Sequence, residues 1–204
     1  MTSPNFIDYL PEASRRYIDE LFSAENLEII IKSGRHSKLG DYRPPQKKTF
    51  HRISINADLN PYLFLMITVH EFAHLKVWKK YGRKVTAHGI EWKNTFKELM
   101  LPLLNPQVFP TELLPLLSKY FINPRASVMG APKLFLALKN IDKPDVEIIL
   151  LKDIQNETWF TTPDLKLYQR IAIKKRRILC KQQKNGKLYL INPYCEVVPR
   201  KINV

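Results

Sequence analysis

Residues 60–82 read NPYLFLMITVHEFAHLKVWKKYG, and the reading of this stretch decides the fold. Asn60 suits the residue just before a helix and Pro61 the first helical position. Lys79, Lys80 and Gly82 make a basic last turn with a glycine stop, so the pattern predicts a helix over about Pro61 to Tyr81. Within it, YLFLMITV is apolar on every face, which a helix tolerates only when it is buried. His70 and His74 stand four apart on this core helix and project from one face, with Glu71 one step around. Two imidazoles on one side and a neighbouring carboxylate suit a zinc ion with water beside it. Two core histidines that are merely hydrogen-bonded are the alternative. The spacing, the intervening Glu71 and the apolar helix together favour the metal.

A catalytic zinc usually takes three protein ligands and keeps one position open. Downstream candidates for the third are His88, Glu91 and Glu98, and His36 and His51 lie upstream. AHGIEWKNTFKELM (87–100) predicts a second helix opening just after His88, with Trp92, Phe96, Leu99 and Met100 at core spacing. A turn containing Gly82 folds that helix back against the first and sets His88 at its mouth. Glu91 reads equally well as a first-turn carboxylate favoured by the helix dipole, and Glu98 as an exposed residue. His88 therefore ranks first and Glu91 second.

HEFAH followed by HGIEW resembles SprT-like zinc metallopeptidases, whose third histidine lies in an HGxxW or HGxxF element opening the next helix. The similarity spans about residues 10–101 and includes the KLGDYRPP turn and the ISIN strand. It implies a zincin-like domain with one Zn2+ per chain, His70, His74 and His88 as ligands and Glu71 as catalytic acid and base. Spartan-type members cleave proteins crosslinked to DNA, and some bacterial members are labelled transcription elongation proteins. Many members continue into a zinc ribbon built from four cysteines. This chain has only Cys180 and Cys195, so its tail is expected to be a ribbon-like β module without that metal.

The rest of the chain fits an α+β protein in three zones: a zincin-like domain (1–101), a proline-rich helical connector packed on it (102–144) and a small basic β-sheet or barrel (145–204). In the first zone PEASRRYIDELF (11–22) repeats Ala13, Tyr17 and Leu21 at helical spacing. LEIIIK (27–32) and FHRISIN (50–56) are β-branched runs of strand length, and SGRHSKLGDYRPPQKK (33–48) between them reads as one long turn. Tyr42 and Arg43 in that turn are candidates for oxyanion stabilisation, although the turn itself explains them equally well. Prolines at 102, 106, 110, 115, 124, 132 and 144 cut the second zone into short helices. In the third zone, strands are expected near 146–151, 157–161, 167–173, 177–182, 188–191 and 195–198. KNGK (184–187) should form a tight hairpin with both Asn185 and Gly186 at positive φ.

With 204 residues and 45% hydrophobic content, the chain can bury a core without disulfides, since neither cysteine sits in a CxxC pair. No run of 18 or more uncharged apolar residues occurs, and MTSPNFIDYLPEASRR lacks a basic segment leading into an apolar run. A cytoplasmic, membrane-free location is expected, with nucleoid association open. Net charge is +14, and from Leu165 onward eleven basic residues face the single acid Glu196, which is +10 of that excess. Such a balance favours polyanions. Lys174, Lys175, Arg176, Arg177, Lys181 and Lys184 are the candidate nucleic-acid contacts, KKRR (174–177) being read as a loop between strands. Trp159, Tyr168, Tyr189 and Tyr194 could stack on bases, or be core while the lysines only solubilise.

Two functional classes follow. One is a zinc metallopeptidase acting on protein substrates, with the tail holding it near DNA. The other is a non-catalytic, zinc-containing nucleic-acid-binding or transcription-associated protein. Retention of Glu71 favours the first.

Overall fold

The apolar runs and their caps set the helices. Asn60 accepts the Leu63 backbone N–H at 2.9 Å through its side chain, Pro61 follows, and the Gly82 N–H closes on the Trp78 carbonyl at 2.8 Å. The computed structural model describes residues 5–35, 38–46, 50–141 and 149–201. It is a mixed α+β structure with two sheets. The chain divides into two units, Met1–Lys143 and Pro144–Val204.

In the first unit the order is α1 (Glu12–Ser23), β1 (Leu27–Lys32), β2 (Gly40–Arg43), β3 (His51–Asn56), α2 (Pro61–Tyr81), α3 (Ile90–Met100), α4 (Leu114–Ile122) and α5 (Pro132–Asn140). The sheet order is β1-β3-β2, with β1 parallel and β2 antiparallel to β3. Helix α2 packs against β2, β3, α3 and α5, and every residue from Leu63 to Ala73 is buried. Phe22 stacks on Phe72 at 4.3 Å and Tyr9 on Phe64 at 5.1 Å. Leu103, Phe109, Leu117 and Leu138 belong to the same buried cluster, so the short proline-cut helices share one core with α2.

Two expectations change here. The inward stripe of α1 is Ser14, Ile18 and Phe22, one position on from Ala13, Tyr17 and Leu21. Tyr17 and Leu21 flank the stripe half-buried, Tyr17 donating its hydroxyl to the Leu99 carbonyl at 3.1 Å. The GDYR stretch is not part of a long turn but strand β2, because β3 offers it an open edge and pairs it in register from Gly40↔Ile55 to Arg43↔Arg52. Gly40 allows that strand to lie on α2. A Cβ there would sit 2.5 Å from Ile67 Cγ2 and 2.7 Å from Glu71 Oε1, so the Ile67 and Glu71 side chains would have to shift.

The second unit holds β4 (Trp159–Thr161), β5 (Leu167–Lys174), β6 (Arg177–Gln182), β7 (Leu188–Ile191) and β8 (Val198–Arg200) in the order β7-β6-β5-β4-β8, all pairs antiparallel. Its own core gathers Leu151, Ile154, Phe160, Tyr168, Ile178, Cys180 and Val197. The strand expected near 146–151 falls partly outside the described residues, and Leu150 makes only an isolated bridge to Glu196 before the chain turns. The final strand starts at Val198 rather than 195, after a turn closed by the Cys195 N–H on the Asn192 carbonyl at 3.0 Å. The strand expected at 157–161 starts at Trp159, since Glu157 at φ 67° is a turn residue. The β6–β7 hairpin forms, but only Gly186 of the Asn-Gly pair has positive φ, at 66°. The loop is longer than two residues and closes with the Gly186 N–H on the Gln182 carbonyl at 2.9 Å, so Asn185 instead accepts the Lys187 N–H through its side chain. Among the described residues no helix is long and apolar enough to cross a membrane.

Candidate metal centre

His70 and His74 leave the same face of α2, and His88 reaches them from the turn before α3. The His88 Nε2 lies 3.2 Å from His70 Nε2 and 3.0 Å from His74 Nε2. The Gly89 N–H closes a turn on the Thr86 carbonyl at 2.9 Å, and His88 occupies its third position at φ 59°. Glycine or asparagine is usual there, and another residue is strained by roughly 1–3 kcal/mol. That strain aims the imidazole at the helix.

Trp92, one turn into α3, holds the three rings together. Its ring lies 4.6 Å from His70, 5.4 Å from His74 and 4.7 Å from His88 between centroids. It is fully buried, and its indole N–H donates to the His70 carbonyl at 3.4 Å. Burial, reinforced by the neighbouring rings His74 and His88, holds the His70 pKa well below the usual imidazole range. Burial together with His88 lowers His74 to about 4, and burial alone lowers His88. All three are thereby biased to the neutral form that ligates metals.

The residues present fit a cation. Ligands at about 2.0–2.1 Å from a tetrahedral zinc stand roughly 3.3 Å apart, close to the separations between these nitrogens. Neutral imidazoles can share N–H···N hydrogen bonds at these distances, whereas a cation takes the lone pairs of all three inward nitrogens at once. Among the described residues these three are the one group of His, Cys, Asp or Glu side chains close enough to hold a metal; Glu91, Glu98 and His51 do not join it. His51 instead shares a 2.8 Å hydrogen bond through Nδ1 with the Tyr42 hydroxyl. His36 lies outside the described residues.

Glu71 is 7% exposed. Burial, aided by the charge of Asp41, pushes its carboxyl up to about 8, while the Tyr42 backbone N–H partly offsets this by donating to it. A carboxyl tuned toward neutrality is suited to taking and returning a proton. His70 and Glu71 also line one cavity of about 270 Å3. Arg43, a candidate for oxyanion stabilisation, is exposed and donates to Asp41 at 2.8 Å. The Tyr42 ring lies nearly parallel to that of His74, at 6.4 Å.

Asn56 and Arg35 are positioning residues that the sequence pattern did not single out. The buried Asn56 side chain donates to the Arg35 and Lys38 carbonyls at 3.0 and 3.2 Å, and Arg35 Nε returns a bond to Asn56 Oδ1 at 2.7 Å. Together they fix the chain that leads into β2 beside Glu71. The polar residue closing the ISIN strand was the available signal.

The six basic candidates of the second unit do not form one cluster. Lys174 and Arg177 face each other across the β5–β6 turn made by Lys175 and Arg176, with Lys175 at φ 56°, so KKRR does join two strands. Lys181 lies further along β6, and Lys184 sits in the loop at the opposite end of that strand. Tyr168 is core, stacked on Phe160 at 5.9 Å, while Tyr189 is 38% exposed on the edge strand β7. No family model, curated protein or solved structure matches the chain.

Proposed function

We propose that the chain is a zinc-dependent endopeptidase of the zincin, SprT-like kind, with His70, His74 and His88 holding one Zn2+. The observation that carries the reading is the meeting of the three Nε2 atoms, at 3.0 and 3.2 Å, beside a cavity that Glu71 also lines. Zinc bound by three imidazoles with an open position acidifies water and polarises a carbonyl. Glu71 takes the proton of the attacking water on its carboxylate and returns it to the leaving amine. The Tyr42 backbone N–H holds that carboxylate in place, and Trp92 keeps the imidazoles in one orientation. The test is digestion of an unfolded protein such as casein. Zinc-loaded full-length chain is expected to cut it, to stop on chelation and to resume when zinc is returned. A zinc-loaded chain inert toward unfolded, DNA-bound and self substrates would overturn the reading and leave the non-catalytic, zinc-containing nucleic-acid-binding protein.

The register of the second unit supports association with nucleic acid. Cross-strand partners share a sheet face, and the pairs Leu188↔Lys181, Lys181↔Gln169, Gln169↔Trp159 and Trp159↔Arg200 make one row across all five strands. Arg177 and its partner Lys174 fall on the same face as Lys181. A half-buried Trp159 beside Arg200, in a row that also carries Lys181, is a platform on which a base can stack while phosphates meet the cations. On single strands each lost phosphate contact reduces the salt slope of log affinity by about 0.7. Reversing Lys174, Arg177 and Lys181 to Glu is therefore expected to flatten it by about 2. Trp159→Ala should weaken single-stranded oligonucleotides by roughly 5- to 100-fold at every salt concentration. Oligonucleotide anisotropy across a salt series measures both, and unchanged slope and affinity would leave the charge to solubility or a protein partner.

A further inference from the structure

Met66 and Ile67 stand one turn before His70 and Glu71 on the same face of α2, and all four line the cavity of about 270 Å3. Phe96 of α3 and Val128, from the short turn Val128–Gly130, complete an apolar wall in which Met66, Phe96 and Val128 are each at most 3% exposed. We propose that this cavity seats one apolar side chain of the peptide substrate, of Leu to Phe size, beside the bond that is cut. The proposal rests on the peptidase reading and adds a substrate class to it.

Size and polarity both point to that occupant. An apolar cavity of about 150 Å3 already admits a benzene ring, so this one takes a single large aliphatic or aromatic side chain. Apart from His70 and Glu71, the polar side chains that line it have partners in the protein. Lys38 is paired with Asp41 at 2.6 Å, the Tyr120 hydroxyl donates to the Arg125 carbonyl at 3.0 Å, and the Ser127 hydroxyl accepts the Met129 N–H at 3.3 Å. An acidic substrate side chain would lose water here beside the Glu71 carboxyl, with Lys38 already paired, which disfavours it.

The wall on the far side from α2 is preformed. Arg125 donates to the Gly130 carbonyl at 2.6 Å, and the Gly130 N–H bonds back to the Ser127 carbonyl at 2.9 Å, closing residues 125–130 into a braced loop. Ala126 and Met129 line the cavity from this loop while remaining exposed, so larger side chains at these positions can fill the cavity without disturbing the core.

The test uses short, end-blocked Ser/Gly peptides that carry one variable residue: Leu, Phe, Ala or Asp. Binding is measured to the zinc-loaded, full-length Glu71→Gln chain, and cleavage is followed with the zinc-loaded wild type. Leu and Phe peptides are expected to bind about 10-fold or more tighter than Ala, and Asp no better than Ala. Ala126→Phe and, independently, Met129→Trp on that background should bring Leu and Phe down to the Ala level and leave Ala unchanged. Equal binding of all four peptides, or a preference that survives both filling variants, overturns the proposal. Cleavage without preference for Leu or Phe overturns it too while leaving the peptidase reading in place. Preferential, filling-sensitive binding with no cleavage upholds the pocket and sinks the peptidase reading instead.

Discussion

Glu71→Gln is expected to lower cleavage of unfolded protein by about 100- to 10,000-fold while leaving zinc content and thermal stability near those of the wild type. The amide keeps the shape of the side chain, and its oxygen still accepts the Tyr42 backbone N–H that braces the carboxylate. The substitution adds no buried charge, because the amide is neutral. On the peptidase reading, the amide loses the ability to carry a proton from water to the leaving amine. Initial rates on casein, with zinc measured in the same samples, check this. A Glu71→Gln chain that cuts at the wild-type rate would assign proton transfer to another group.

The helix that carries this glutamate was legible because its signals are local. Asn60, Pro61 and the Gly82 stop bracket Pro61–Tyr81, and the helix observed has the same bounds. The strand β2 was not legible. GDYR is short and polar and runs into Pro44 and Pro45, and it becomes a strand through the open edge of β3 rather than through its own propensity. The one-residue shift of the α1 stripe has a similar origin. Phe22 finds Phe72 and Phe6 to stack on, whereas Leu21 finds the flank. At the site, i, i+4 spacing places His70 and His74 on one face, and no pattern in the chain reports that His88 sits at φ 59° or that Trp92 touches all three rings. In the second unit the runs of basic residues were visible, but the row that aligns Lys181, Trp159 and Arg200 depends on strand register, which the irregularity between Arg170 and Ala172 alone is enough to shift.

His88→Ala carries the second large effect. Removing a ligand leaves two imidazoles on α2 and is expected to reduce zinc affinity by more than the roughly 10- to 100-fold that a partner outside the ligand set is worth. The turn Thr86–Gly89 is closed by backbone atoms, and Trp92 keeps its contacts with His70 and His74 while losing that with His88, so the metal-free variant should unfold near or slightly below the metal-free wild type. The wild type, unlike His88→Ala, should gain thermal stability as free zinc rises, because a ligand that binds only the folded chain stabilises it by mass action. Glu91→Ala, which alters a carboxylate outside the histidine group, should bind zinc like the wild type. Zinc bound per chain at controlled free-zinc concentrations, for the full-length wild type, His88→Ala and Glu91→Ala, tests the three-histidine centre most directly. The expected result is one zinc on the wild type and on Glu91→Ala, lost from His88→Ala. A wild type that holds no zinc, or a His88→Ala chain that holds it as tightly as the wild type, would contradict the account.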